Sequence, residues 1–134
     1  MADDKQRITE KDENRVDGIV SHIEILSADT RRSSEFYTKV FGWICHEYEL
    51  DGKPYMGWKP ESGEGVPGGF RKMVAGQEPI TINYVKTFDI DDVIKKIRER
   101  GGTITLEKKP IPGIGFIACF IDPFGNTLGL FQPE

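Results

Sequence analysis

The strongest constraint on the fold is an internal repeat, because one order of predicted elements occurs twice along the chain. In the first copy, Ser21–Ile25 forms a strand and Asp29–Phe41 a helix, with Gly42 directly after it and three strand-like segments beyond. In the second copy, Ile82–Val85 forms the strand and Asp89–Arg100 the helix. A repeat of this size is typical of two copies of one supersecondary unit. We therefore predict an α+β fold of two βαβββ modules.

Both predicted helices have signals at their ends and an apolar stripe. Asp29 and Asp89 are placed to cap free backbone N–H groups at the two starts. In the second helix the apolar residues recur at the helical spacing of three and four, and they are Ile90, Val93, Ile94 and Ile97. In the first helix we expect the stripe that packs on a sheet to consist of Phe36, Tyr37, Val40 and Phe41.

Residues 1–17 differ from the rest of the chain in composition. Ten of them are charged and few are apolar, so the segment buries too little surface to offset the entropy of ordering it. We predict a charged, mobile N-terminal tail over residues 1–17. A single domain then covers residues 18–133, with its modules at about 18–72 and 80–133.

Composition excludes several classes of protein. A net charge of −4 argues against nucleic acid as a partner, because phosphate binding needs a basic face. No apolar run approaches the roughly 20 residues of a membrane-spanning helix, and the start of the sequence lacks the apolar stretch of a signal peptide. Two cysteines are too few for a disulfide framework. We expect a cytoplasmic protein.

Two motifs carry a resemblance to a known family. The segment Phe36–Trp43, with His22 fourteen residues before its first residue, resembles the opening of the vicinal oxygen chelate superfamily. That superfamily includes glyoxalase I, extradiol dioxygenases and bleomycin-resistance proteins. Asp122–Asn126 followed by Leu128–Leu130 resembles its closing hairpin. The resemblance implies that the two mixed sheets curl into a barrel-like cup with the helices outside, and that the chain forms a homodimer.

The resemblance also locates the positions at which metal-dependent members carry His or Glu ligands. His22 matches the first of these positions, and the others fall on Asn83, on Gly129 and on either Gly69 or Phe70. Glycine has no side chain to coordinate a metal, and neutral asparagine is a weak ligand for a transition metal. We therefore expect no cofactor, with a divalent metal as the alternative. The last strand resembles a metal-poor, glyoxalase-related subgroup.

The first strand contains the candidate catalytic residues. Side chains alternate along a strand, so His22 and Glu24 share one face while Ile23 and Ile25 share the other. With the apolar face against the helix, His22 and Glu24 line the cavity. One interpretation is a general acid–base pair, since imidazole titrates near neutral pH. The other is a relic of the metal site, hydrogen-bonded to a neighbouring strand.

Aromatic residues and small residues complete the predicted ligand site. Aromatic lining with few polar groups suits a small organic ligand, and the predicted ligand-binding residues are Tyr55, Trp58, Asn83, Gly129 and Phe131. Arg71 has two interpretations, as a contact for an anionic ligand or as an exposed strand-edge charge. The predicted function is small-molecule binding. The alternative is a glyoxalase-related lyase, isomerase or dioxygenase acting on a small organic substrate.

Overall fold

A computed structural model describes residues 16–134, so the tail predicted over residues 1–17 lies almost entirely outside the described residues. Two helices are present, α1 (Thr30–Phe41) and α2 (Ile90–Glu99). The strands are β1 (Val20–Ser27), β2 (Ile44–Leu50), β3 (Lys53–Lys59), β4 (Gly68–Lys72), β5 (Thr81–Lys86), β6 (Thr103–Ile111), β7 (Gly115–Ile121) and β8 (Thr127–Pro133). The element order is strand, helix and three strands, twice. This confirms the α+β class.

The chain divides into two compact units, and the division falls inside β5. The first unit is Val20–Tyr84, and the second is Val85–Glu134 with the described residues before Val20. None of the helices in the described part of the chain is both long and apolar enough to span a membrane.

In the first unit, four strands form a mixed sheet in the order β2-β3-β4-β1. β1 and β4 run parallel, whereas β3 is antiparallel to both of its neighbours. One face of this sheet carries an apolar core under α1, built on the buried residues Met56, Trp58 and Phe70. Tyr37 of α1 packs against this core together with Ile23 and Ile25 of β1. The apolar side of β1 therefore faces the helix, as its alternation predicts.

The packing of α1 differs from the predicted stripe. Phe36, Val40 and Phe41 are each more than half exposed, and Tyr37 alone of the four reaches the core. The less exposed residues of the helix are instead mostly small and polar, and they are Thr30, Ser33, Ser34 and Tyr37. Their spacing of three, four and seven is that of one helix face. The expectation of a buried Phe-Val-Phe stripe is therefore wrong, because a mostly small and polar face of α1 is the less exposed one.

In the second unit, β8, β7 and β6 follow one another in an antiparallel sheet. Its core combines Ile90 and Ile94 of α2 with Ala118 of β7 and Leu130 of β8. Val93 and Ile97 pack against this cluster, so the stripe predicted for the second helix is confirmed. Gln132 adds a polar contact at the start of α2, where its side-chain oxygen accepts a hydrogen bond from the backbone N–H of Ile90 at 2.8 Å.

Each unit leaves one strand at a sheet edge. β2 is paired with β3 on one side, and β6 is paired with β7 on one side. A closed barrel has no such edges, so the sheet is open. The mixed α+β architecture is shown, and the cup formed by two modules stays a prediction.

Replacing Ile90 with alanine tests the core of the second unit. Ile90 has no exposed surface, and truncation of such a residue costs about 2–5 kcal/mol because it leaves a cavity. We expect Ile90→Ala to lower the free energy of unfolding by this amount in a denaturant titration. Lys95→Ala, an exposed change on the same helix, should stay within about 0.5 kcal/mol of the parent. Equal effects of the two changes would contradict the assigned helix face.

Candidate functional site

A polar cluster lies on the face of the first unit's sheet that points away from α1. β1 places His22 and Glu24 on this face, since Ile23 and Ile25 pack under the helix. Tyr55 of β3 reaches both residues through its hydroxyl group. The structure therefore brings together three of the predicted site residues. Tyr55 lies 33 positions after His22 and 31 positions after Glu24 in the sequence.

The Glu24 carboxylate is the centre of this cluster. Glu24 is only 6% exposed, and a buried charge is costly unless it is paired and hydrogen-bonded. Tyr55 donates to Oε1 at 3.2 Å, and Tyr84 donates to Oε2 at 3.1 Å. Arg71 Nε lies 3.0 Å from Oε2. Both carboxylate oxygens are therefore engaged by the protein.

The Arg71 side chain is buried at one end of its guanidinium group and exposed elsewhere. Its Nε atom is buried and lacks hydrogen-bond geometry, so the 3.0 Å approach to Glu24 is an ion pair rather than an aligned hydrogen bond. The side chain as a whole is 42% exposed, and this exposure belongs to atoms other than Nε. Arg71 thus balances the charge of Glu24 and also reaches the open side of the face.

His22 and Tyr55 form the second link of the cluster. Nε2 of His22 lies 2.9 Å from the hydroxyl oxygen of Tyr55. Burial lowers the pKa of His22, and the negative charge of Glu24 opposes that effect only in part. Burial, together with Glu24, raises the pKa of Tyr55. At neutral pH the imidazole is therefore uncharged and the phenol keeps its proton.

Aromatic rings extend the face from the cluster towards the sheet edge. The ring of Tyr48 lies 5.6 Å from that of Tyr55 in an edge-on arrangement, and His46 stacks 6.2 Å from Tyr48 on the same strand. His46 and Tyr48 are exposed. These two rings offer accessible stacking surface beside the polar cluster, which is the combination that a small organic ligand needs.

Two glycines make room for the tyrosine rings. Gly57 and Gly69 pair directly across β3 and β4. A Cβ atom on Gly69 would overlap the ring and hydroxyl group of Tyr55, whereas one on Gly57 would lie 2.9 Å from a ring carbon of Tyr48. Tyr55 therefore reaches His22 and Glu24 only because Gly69 has no side chain.

The other predicted ligand-binding residues lie elsewhere in the structure. Trp58 is on the helix face, where it stacks 3.9 Å from Trp43. Asn83 is exposed, and its neighbour Tyr84 carries the contact with Glu24. Gly129 and Phe131 belong to β8 of the second unit. Of the five predicted ligand-binding residues, the structure places Tyr55 in the cluster.

Sequence analysis assigns no definite binding role to three residues of this face, which are Tyr48, Arg71 and Tyr84. Tyr48 carries a usable signal, because a two-residue Asp51-Gly52 turn pairs it with Tyr55 across the hairpin. For Arg71 the sequence leaves two roles open, a contact with an anionic ligand or an exposed charge. The structure pairs Arg71 with Glu24. Tyr84 has no local signal, since its contact with Glu24 spans 60 positions.

The donors of the cluster do not form a metal-ligand set. Within residues 16–134, no group of three or more His, Cys, Asp or Glu side chains is arranged to hold a metal ion. His22 and Glu24 are the two residues of this cluster whose side chains commonly coordinate metals. Both oxygens of Glu24 already have protein partners. A metal at Glu24 would compete with two hydroxyl donors and a guanidinium group for the carboxylate.

Comparison with known proteins identifies the family. The sequence matches the Glyoxalase/Bleomycin resistance protein/Dioxygenase superfamily over residues 19–130. The chain belongs to this superfamily. The match covers both compact units and confirms the resemblance drawn from the two sequence motifs.

Individual relatives are distant. A lactoylglutathione lyase of Arabidopsis thaliana is 27% identical over 121 residues, which are 83% of this chain and 43% of that protein. An anthracycline biosynthesis protein of Streptomyces peucetius is 23% identical, over 86% of this chain and 47% of its own. The chain therefore spans less than half the length of these relatives. The crystal structure of a methylmalonyl-CoA epimerase from Mycobacterium tuberculosis is similar in fold, with a TM-score of 0.67 and 18% identity over 85% of this chain and 87% of its own.

Substitution of the two glycines tests the arrangement of the cluster. Gly69→Ala should lower the free energy of unfolding by about 1–3 kcal/mol, because overpacking forces the buried Tyr55 ring to move. Gly57→Ala is the matched control, since the exposed ring of Tyr48 can shift. Chemical denaturation measures both changes. A Gly57→Ala effect as large as that of Gly69→Ala would contradict the proposed role of Gly69.

Proposed function

We propose that this protein binds a small organic molecule and does so without a metal centre. The observation that carries the proposal is the sheet face that combines a charge-balanced polar cluster at Glu24 with exposed aromatic rings at His46 and Tyr48. Aromatic surface beside a few positioned polar groups is typical of small-molecule sites. The proposed ligand-contacting residues are His22, Tyr48 and Arg71.

The absence of a resident metal is supported by the occupation of Glu24. Transition metals in proteins take several deprotonated ligands from side chains, and of the positions matched to the family's ligands only His22 carries one. Glu24 offers no free oxygen, since Tyr55, Tyr84 and Arg71 occupy both.

An enzyme is the second candidate function, and the state of His22 favours it. A buried, uncharged imidazole can accept a proton, and the pKa of His22 is lowered by burial. The protein would then be a glyoxalase-related lyase, isomerase or dioxygenase acting on a small organic substrate. The name of the plant relative, a lactoylglutathione lyase, agrees with this class.

We also propose a cytoplasmic location, with neither nucleic acid nor a membrane as a partner. The net charge of −4 supports this proposal, because anionic phosphates attract basic surfaces.

Thermal unfolding with and without candidate ligands tests the proposed function. Chelator-treated protein should be stabilised by members of a panel of aromatic acids and glutathione thioethers. A ligand at 100 times its dissociation constant adds about 2.7 kcal/mol to the free energy of unfolding. Tyr48→Ala should weaken this effect, whereas Phe124→Ala, an exposed aromatic change in the second unit, should not.

Three results would count against this proposal. Stabilisation that requires added zinc, nickel or manganese, with about one equivalent bound per chain, would favour a metal-dependent enzyme over metal-free binding. A second result is turnover of a stabilising ligand. If His22→Ala abolishes that turnover but keeps the affinity for the ligand, the protein is an enzyme. If no member of the panel stabilises the protein, ligand binding of this class is wrong.

We propose that the protein assembles as a homodimer through the outer surface of α1. Phe36, Val40 and Phe41 on this helix and Ile44 on the adjoining edge strand form an exposed apolar patch. Apolar patches and unpaired strand edges favour association with another chain.

Light scattering of the eluting protein tests the dimer. We expect a mass of twice the 15.1 kDa of the chain, and Val40→Glu should shift it towards that of the single chain by placing a charge in the apolar patch. Phe124→Glu adds the same charge at an exposed apolar residue outside the patch and should leave the dimer intact. A parent protein that elutes as a single chain at every concentration would refute the proposal.

A further inference from the structure

The hydrogen bonds around Tyr55 fix the direction of proton donation within the cluster. A phenol group has one hydrogen to donate, and a carboxylate can only accept. Glu24 faces the guanidinium group of Arg71 as a carboxylate, so the hydrogen between Tyr55 and Oε1 of Glu24 belongs to Tyr55. The hydroxyl oxygen of Tyr55 is then left as an acceptor for Nε2 of His22, which lies 2.9 Å away.

The opposite arrangement leaves two acceptors facing each other. If Tyr55 donated its hydrogen to Nε2 of His22, no hydrogen would remain between its oxygen and Oε1 of Glu24, which are 3.2 Å apart. Two oxygens with lone pairs at this distance in a buried site repel each other, and the carboxylate would lose a donor that its burial requires. The hydrogen therefore lies on Nε2 of His22.

An uncharged imidazole carries its single hydrogen on one nitrogen and a lone pair on the other. We infer that Glu24 and Tyr55 hold His22 in the Nε2–H form, so that its Nδ1 accepts a hydrogen bond from the bound molecule. The inference rests on the proposed function for the presence of a ligand. It assigns that ligand a chemical feature, a hydroxyl or N–H group placed at Nδ1.

The surroundings of His22 agree with this role. No hydrogen-bond partner for Nδ1 occurs within residues 16–134. The titratable and charged residues that interact within the cluster are Glu24, Tyr48, Tyr55, Arg71 and Tyr84, and His46 lies beyond Tyr48 on the same face. The donors nearest to the imidazole are directed at Glu24. Nδ1 therefore provides an acceptor that discriminates between ligands with and without a donor group, and Tyr55 and Glu24 act as positioning residues.

Nitrogen-15 NMR of the histidine side chains tests the inference directly. The chain has two histidines, so the exposed His46, whose nitrogens lie outside the Glu24 cluster, is an internal reference in the same sample. At a pH at which His22 is uncharged, we expect a protonated Nε2 and an unprotonated Nδ1 for His22. Tyr55→Phe removes the acceptor and should shift His22 towards a mixture of both forms. Tyr48→Phe removes a hydroxyl group from the same face and should leave the spectrum of His22 unchanged.

A matched pair of small probes tests the ligand feature. Phenol and anisole have the same ring, but only phenol can donate a hydrogen bond. Titration with phenol should shift the Nδ1 resonance of His22 in the parent protein, and anisole should not. Backbone amide resonances of the second unit, which contains none of the proposed ligand-contacting residues, report any general effect of the additives.

The two arms separate the possible failures. A protonated Nδ1 on His22 in the parent protein, which needs no variant to observe, overturns the inference. An unchanged His22 spectrum in folded Tyr55→Phe overturns the positioning role of Tyr55, and a Nδ1 resonance that phenol does not move overturns the assignment of the acceptor. If the thermal screen finds no ligand while the Nε2–H form is observed, the proposed function fails and the tautomer stands.

Discussion

Burial of the Glu24 carboxylate is the interaction on which the candidate site depends. An isolated charge in this position would cost several kcal/mol, so the fold must supply partners, and it does so from three other strands. Tyr55, Arg71 and Tyr84 reach Glu24 from β3, β4 and β5. These contacts join β1 to three other strands. They hold the side chains of the polar face in place, as apolar packing does on the face under α1.

The glycine pair of β4 shows how the two faces constrain each other. Gly69 leaves space for Tyr55 on the polar face, and Gly68 leaves space for Trp58 on the helix face. Side chains of successive strand residues point to opposite sides, so two adjacent glycines relieve crowding on both. A larger residue at either position disturbs one face directly, and the first unit therefore needs glycine at both positions.

Local signals account for what sequence predicts well. The hairpin turn at Asp51 and Gly52 has positive φ angles of 51° and 75°, Asp29 caps α1 through its side chain, and the alternation of β1 assigns His22 and Glu24 to one face. The inward face of α1 is not predictable in this way. Its apolar stripe is real, but hydrophobic spacing identifies a stripe without identifying its partner, and small polar residues decide which side meets the sheet. Tyr84 needs a register between distant strands, which no window of sequence contains.

The full engagement of Glu24 also limits how this site can change over generations. Loss of Tyr55, Arg71 or Tyr84 alone leaves a buried carboxylate short of a partner, and loss of Glu24 alone strands a guanidinium nitrogen and two hydroxyl groups. Residues in one such network do not act additively. Each single substitution in the cluster therefore carries a cost in stability, so the cluster resists replacement one residue at a time.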